Sequence, residues 1–296
     1  MRGRSSVRPA PFEYFAPRTV EEALDLLARH GSEAKPLAGG QSLVPMMNMR
    51  LARPAVVVDL NRVAALSVMR ADAGGLRLGA LVRQQALERD ARVAAGAPLL
   101  AEAAPLIGHL QTRTRGTVGG SLVHADPAAE LPACMIALDA GFHLRSARVS
   151  RTCRAEEFFQ GLLATALGPD ELLVEVEVPA AAPRTGHGFA EVARRHGDFA
   201  LVGAGAVLSL DEAGRCRQVR LVIFGAGDVA HLVRAAAALV GEPPAPGRLA
   251  EVGRAAAAEI DACDDLHATA AYRRHVAAGL AAQALIRARA RAEAAP

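Results

Sequence analysis

The chain has 296 residues, a length that predicts two domains of ordinary size. Hydrophobic types make up 51% and charged types 22%, ordinary globular usage that excludes disordered, collagen-like and coiled-coil classes. The formal charge is only +3, with arginines interleaved among 31 acidic residues, which excludes the basic block of a nucleic-acid binder.

In chain order, Phe12 to Phe15 reads as a short strand, and Thr19 followed by Glu22 as a capping box. The helix it opens carries Val20, Ala23, Leu24 and Leu27 on one face and stops at Gly31. A strand over Ala34 to Leu37, the loop Ala38 to Ser42, a helical stretch from Leu43 to Met49 and the β-branched strand Val56 to Leu60 complete a βαβ(α)β unit. Met46, Met47 and Met49 fall at helical spacing and read as core filling.

A hairpin follows over Val68 to Leu81, with its turn at Asp72 to Gly75, and then a helix through Gln85 to Arg89. Pro98 to Ile107 and Pro127 to Leu138 read as helices, and Thr112 to Gly120 as a polar loop between them. Phe142 to Val149 and Leu172 to Val178 alternate as strands, and Pro179 to Pro183 reads as a linker. Beyond it, Gly188 to Arg194, Ala200 to Leu210 and Val219 to Phe224 predict a three-stranded antiparallel sheet. Three helices are expected after it, near Val229 to Val240, Arg248 to Ile260 and Thr269 to Ala292, the order of an α+β domain.

Cys134, Cys153, Cys216 and Cys263 have no C-x-x-C spacing and the nine histidines form no H-E-x-x-H, so neither zinc nor an iron–sulfur cluster is expected in this chain. The single lysine, Lys35, precedes Pro36, which removes any Walker-type phosphate loop. Met1 to Pro11 lacks an apolar h-region and no segment reaches the roughly 18 apolar residues of a membrane span; the expectation is a cytoplasmic protein.

Two glycine pairs carry the chemistry, Ala38-Gly39-Gly40-Gln41-Ser42 and Thr117-Val118-Gly119-Gly120-Ser121. Paired glycines before a helical start free backbone N–H groups for one anion, and Ser42 or Ser121 adds a hydroxyl; two such loops suit a diphosphate. A tight turn is the other reading of each pair. Neither has the G-x-G-x-x-G spacing of a Rossmann site, and Gly225-Ala226-Gly227-Asp228 matches only its first half.

The runs Leu37 to Pro45, Arg115 to Leu122 and Ala125 to Pro132 closely resemble the FAD-binding medium subunit of molybdenum-containing hydroxylases, the family of aerobic carbon monoxide dehydrogenase and xanthine dehydrogenase. The resemblance continues through Arg195 to Ala200 and Asp264 to Arg274 and spans nearly the whole chain in order. It implies an α+β fold: a two-subdomain vanillyl-alcohol-oxidase-like (PCMH-type) FAD-binding domain over residues 1–180, divided at about 62/63, and a small C-terminal α+β domain over 184–296.

The same resemblance implies that Ala38, Gly39, Gly40, Gln41, Ser42 and Leu43 wrap the FAD pyrophosphate. Thr117, Gly119, Gly120 and Ser121 would bind pyrophosphate or flank the isoalloxazine; Glu130 would meet the ribose, with Asp126 in the same motif. Ile107 and Leu173 take apolar positions near the flavin and adenine. The chain departs from its relatives at Ser121, where asparagine is common, at Ala190 and Glu191, where a lysine is frequent, and at Phe199, where some have tyrosine.

Arg194 and Arg195 are candidates for tuning the flavin, and His109 and His124 flank the second loop without a carboxylate partner, so non-covalent FAD is expected. The implied activity is that of an electron-transfer flavoprotein subunit. A large partner subunit would hold the molybdenum cofactor and a small one the [2Fe-2S] clusters, in a dimer of heterotrimers. The competing readings are a self-sufficient flavin oxidase or dehydrogenase, and a flavin-free scaffold.

Overall fold

The computed structural model describes residues 8–295; the polar start read over Met1 to Pro11 lies outside the described residues as far as Val7, and so does Pro296. The first layer holds β1 (Glu13–Phe15), α1 (Val20–His30), β2 (Ala34–Leu37), α2 (Leu43–Asn48) and β3 (Val56–Asp59). All pairs are parallel, with β3 central in the order β1-β3-β2. Val56, Val57 and Val58 are buried, as a central strand covered on both faces requires. The Thr19 hydroxyl accepts from the Glu22 amide at 3.1 Å, but the Glu22 carboxylate turns to the Arg18 amide at 2.7 Å, so the box closes one residue early. Of the three methionines expected in the core, Met47 is buried and Met49 is exposed.

The second layer opens with the hairpin β4 (Met69–Asp72) and β5 (Gly75–Gly79). Six helices follow: α3 (Gln84–Arg89), α4 (Ala91–Gly96), α5 (Pro98–Ala103), α6 (Leu110–Arg115), α7 (Val118–His124) and α8 (Glu130–Ala137). The chain then forms β6 (Gly141–Arg145), β7 (Ser150–Arg154), α9 (Ala155–Phe158), the small hairpin β8 (Phe159–Gly161) and β9 (Ala164–Thr165), and β10 (Leu172–Pro179). Five of these strands make an antiparallel sheet in the order β4-β5-β10-β6-β7. The loop expected over 112–120 is instead the end of α6 and the start of α7. Both helices are single short units tied down by neighbours, the Val118 amide to the Val82 carbonyl at 2.9 Å and the Gln84 amide to the Gly116 carbonyl at 2.9 Å. Every residue of α8 is buried, so it is a core helix apolar all round, with Glu130 as its acidic first residue.

The third layer is the antiparallel sheet β11 (Thr185–Ala193), β12 (Ala200–Leu210), β13 (Cys216–Phe224) and β14 (His231–Leu232), with α10 (Pro246–Glu259) and α11 (Ala270–Ala294). The sheet has four strands rather than three, because the stretch expected as a helix over 229–240 pairs first with β13 and then makes a 3-10 turn over Arg234–Leu239. The Glu259 carboxylate accepts from the amides of Arg234 and Ala235 at 2.8 and 2.6 Å, fixing that start against its alanine-rich helical propensity. Period-two alternation splits the sheet's faces. Ala190, Val202, Ala204, Leu208, Leu221 and Ile223 pack on α10 and α11, while Phe189, Val222 and Phe224 join the core of the second layer. Ala277, Ala281, Ala284 and Ala288 put a small-residue stripe of α11 against that sheet.

Candidate functional site

The loop between β2 and α2 lines a cavity of about 350 Å³, contributing Leu37 to Gln41 together with Val44 and Pro45. Asp59, Asn61 and Arg115 form the rest of its wall. Gly40 holds φ 73, a left-handed conformation that glycine adopts without strain. Among the described residues, the backbone N–H groups of Gly39, Gly40, Gln41, Ser42 and Leu43 find no hydrogen-bond partner. Five consecutive amides are therefore open to water or a ligand, the last two of them as the unpaired donors of a helix start. The Gln41 side-chain amide folds back to the Gly39 carbonyl at 3.2 Å and stiffens the turn.

The second glycine pair is built differently. The Gly119 amide donates to the Ala80 carbonyl at 2.8 Å, the Gly120 amide to the Thr117 hydroxyl at 3.0 Å and the Ser121 amide to the Thr117 carbonyl at 3.1 Å. Those donors are spent inside the chain, so only the first loop keeps the free amides that the sequence implied for both. The glycines there serve close packing: a Cβ on Gly119 would lie 2.6 Å from the Ala80 Cβ, and one on Gly120 2.7 Å from the Thr117 hydroxyl. That Gly120 position also lies 3.6 Å from the Ala38 Cβ, which brings the two loops into contact.

The remaining sequence candidates lie elsewhere. Ile107 and Leu173 are buried in the second-layer core. Asp126 accepts from the Ala128 amide at 2.9 Å in the turn that leads to α8. Glu130 is buried, and burial, with Asp126 nearby, pushes its carboxyl up to about 7. None of these four borders the cavity.

Glu191, on β11, is pushed up to about 8 by burial and by Glu130, and its Oε2 is buried without a partner. The two carboxyls stand where the C-terminal sheet meets α8, a seam also held by the Gly225 amide donating to the Pro127 carbonyl at 2.9 Å. Phe199 is 63% exposed, so its ring lies outside the core. Arg194 donates to His267 at 2.9 Å, and the His109 ring sits against Gly197.

The cavity's far wall was not legible as a site. Asp59 and Asn61 stand at the end of the buried valine strand, where a D-x-N pattern after β-branched residues is the one available signal. Arg115 on that wall, and Arg83, which bonds Asn61 from outside it, come from other elements and share no spacing with them. Among the described residues, no three His, Cys, Asp or Glu side chains gather as metal ligands, and no helix is long and apolar enough to cross a membrane.

Comparison with known proteins adds two family matches, the FAD binding domain in molybdopterin dehydrogenase over residues 10–181 and the CO dehydrogenase flavoprotein C-terminal domain over 187–288. The 6-hydroxypseudooxynicotine dehydrogenase complex subunit alpha of Paenarthrobacter nicotinovorans is 40% identical over 91% of this chain and 92% of that protein. The carbon monoxide dehydrogenase medium chain of Hydrogenophaga pseudoflava is 42% identical over 68% of this chain and 70% of its own length. A solved structure of carbon monoxide dehydrogenase from the same organism superposes with a TM-score of 0.93 at 38% identity, covering 96% of this chain and 99% of that one.

Proposed function

The chain belongs to the FAD-binding medium-subunit family of molybdenum hydroxylases, an oxidoreductase subunit, and on that premise we propose that it carries electrons through one non-covalent FAD. In this proposal they arrive from iron–sulfur clusters of a partner subunit and leave to an external acceptor. The observation that carries the reading is the row of five unpartnered amides, Gly39 to Leu43, beside the 350 Å³ cavity. That donor set fits a diphosphate: it is neutral, preformed and free of competing internal acceptors.

When bound, FAD supplies an acceptor of two electrons that it can pass on singly or together. The protein's own share is to bind and orient. Ala38 to Leu43 hold the diphosphate, and Thr117, Gly119 and Gly120 frame the opposite side, with the Ser121 hydroxyl as a donor beyond them. Glu130 and Asp126 meet ribose or nearby polar atoms, and Ile107 and Leu173 give apolar support to the rings. The proposal keeps the attachment non-covalent.

The proposal places the molybdenum cofactor in a large partner chain and the [2Fe-2S] clusters in a small one, as a cytoplasmic dimer of heterotrimers. It assigns residues 1–180 to the FAD-binding domain, with subdomains meeting near 62/63, and 184–296 to the C-terminal domain. Support comes from the relatives, whose names make them the alpha subunit of a complex or a medium chain.

The test is to purify the full chain from its native host and analyse metals, flavin and chain stoichiometry. Equal amounts of a molybdenum-bearing large chain, an iron–sulfur small chain and this FAD-bearing chain are expected. A chain that purifies alone with FAD, and whose flavin a substrate reduces directly, would replace the proposal with a self-sufficient dehydrogenase.

A further inference from the structure

Three polar residues outside both glycine pairs, Asp59, Asn61 and Arg115, border the cavity, and Arg83 braces two of them from outside it. The Arg83 guanidinium donates through Nη2 to Asn61 Oδ1 at 2.7 Å and through Nη1 to the Arg115 carbonyl at 2.6 Å. Asn61 Nδ2 donates in turn to the Ala38 carbonyl at 2.8 Å and to Asp59 Oδ1 at 2.6 Å. A single planar fork on Arg83 therefore ties the first glycine loop, through Asn61, to the C-terminal end of α6.

Charge is out of balance there. Among the described residues, Asp59 is the one carboxylate that borders the cavity; Arg115 borders it too, and Arg83, bonded to Asn61, adds a second cation outside the wall. Both Asp59 oxygens are already engaged, Oδ2 by the Tyr14 hydroxyl at 2.5 Å and Oδ1 by Asn61. Burial pushes the Asp59 carboxyl up, but the hydrogen bonds from Tyr14 and Asn61 outweigh it and hold it below the ordinary carboxylate range. Arg83 loses basicity through burial and through the charge of Arg115, with Asp59 offsetting only part. Among the described residues, the Arg115 guanidinium has no acidic partner, although its carbonyl is held by Arg83. Two cations kept close against their own repulsion, with one anion already occupied, leave a net positive charge beside five free amides.

Resting on the FAD reading, we propose that Arg115 pairs with the cofactor's diphosphate from the cavity wall, and that Arg83 is the positioning residue that sets the two loops at the spacing the diphosphate needs. Arg115 thereby selects flavin that bears a diphosphate over flavin that lacks one. Its role is that of a point charge, which a lysine can fill. The role of Arg83 is geometric, since one ammonium cannot span Asn61 Oδ1 and the Arg115 carbonyl together.

The experiment measures FAD and riboflavin binding to the flavin-stripped full chain at low and high salt, with thermal unfolding recorded for each variant. Arg115→Ala weakens FAD binding roughly tenfold or more and lowers its salt dependence, leaves riboflavin unchanged, and is largely rescued by Arg115→Lys. Arg83→Lys, in contrast, fails to restore what Arg83→Ala loses. The proposal is overturned if Arg115→Ala binds FAD as the parent does, or if it loses riboflavin equally. A parent chain that binds neither ligand overturns the flavin reading itself, an outcome distinct from the other two.

Discussion

Gly39 rests against the Arg115 carbonyl and the Gly116 Cα so closely that a Cβ on Gly39 would overlap both. This contact sets the distance between the loop of free amides and the end of α6, and so the width of the cavity they share. Gly40, one residue on, faces only the ends of the Leu37 and Val44 side chains, each 3.2 Å from a built Cβ.

The two glycines therefore differ in what they tolerate. Gly39→Ala forces backbone apart at a cost of about 1–3 kcal/mol and abolishes FAD retention. Gly40→Ala meets flexible side chains and pays mainly for its positive φ, about 1 kcal/mol, so it keeps more flavin. The ratio of flavin to protein absorbance, with urea unfolding of each variant, checks the order; equal flavin in both variants contradicts it.

Thr117 is 1% exposed, and its hydroxyl is the acceptor for the Gly120 amide at the start of α7. Thr117→Ala removes that cap and destabilises the chain by about 1–2 kcal/mol, while Thr117→Ser keeps most of it. Chemical denaturation of the two variants side by side gives the comparison, and equal losses in both would assign the effect to the methyl group.

The seam carboxyls predict a pH dependence. Glu130 and Glu191 hold their protons up to about 7 and about 8 in the folded chain, against 4.5 as the ordinary value. The folded state therefore binds more protons than the unfolded one, and stability falls as pH rises through that window. The surrounding groups reinforce this: Asp126 faces Glu130, and Cys134, buried one turn along α8, lies close to both carboxyls and to Glu102. Melting temperatures between pH 5 and pH 9 should decline in the parent chain and decline less in Glu191→Gln. An unchanged slope in Glu191→Gln would remove that carboxyl as the source.

Arg273 gives a stability prediction far from the cavity. Its side chain is 5% exposed and donates to the Leu201 carbonyl at 2.6 Å, the Gly225 carbonyl at 2.5 Å and Asp265 at 2.5 Å. Asp265 is half exposed, so water can replace its share; the two carbonyls have no such substitute. Arg273→Ala should cost about 2–4 kcal/mol in urea unfolding, and Arg273→Lys should recover only part, because one ammonium cannot reach all three acceptors. A loss below about 1 kcal/mol would contradict this account of the buried arginine.

Much of this architecture is written locally. The valines at 56–58 and the run Ala200 to Leu210 announce strands by β-branching and alternation, and Thr19 announces a helix start; each stands where the sequence placed it. What the sequence hides depends on distant partners. Ser150–Arg154 is strand only because it pairs with Gly141–Arg145, and His231–Leu232 only because it pairs with β13, against an alanine-rich context that favours helix.

The helices α6 and α7 were obscured by Gly116, Gly119 and Gly120, residues that usually mark loops but here allow backbone to pack on Gln84 and Ala80. At the site, the glycine motifs are legible as short contiguous runs. Asn61 and Arg83 are not, and Arg115, although it opens the second run, shows nothing of its bond to Arg83, because a hydrogen-bonded brace drawn from three elements leaves no periodicity.

The central claim is that the loop from Gly39 to Leu43 holds the diphosphate of one FAD. The most direct test is to purify the full chain, denature it and quantify released flavin by mass spectrometry, before and after incubation with excess FAD. The account predicts close to one FAD per chain after loading, with no flavin left on the polypeptide. A folded chain that neither retains nor takes up FAD would contradict it.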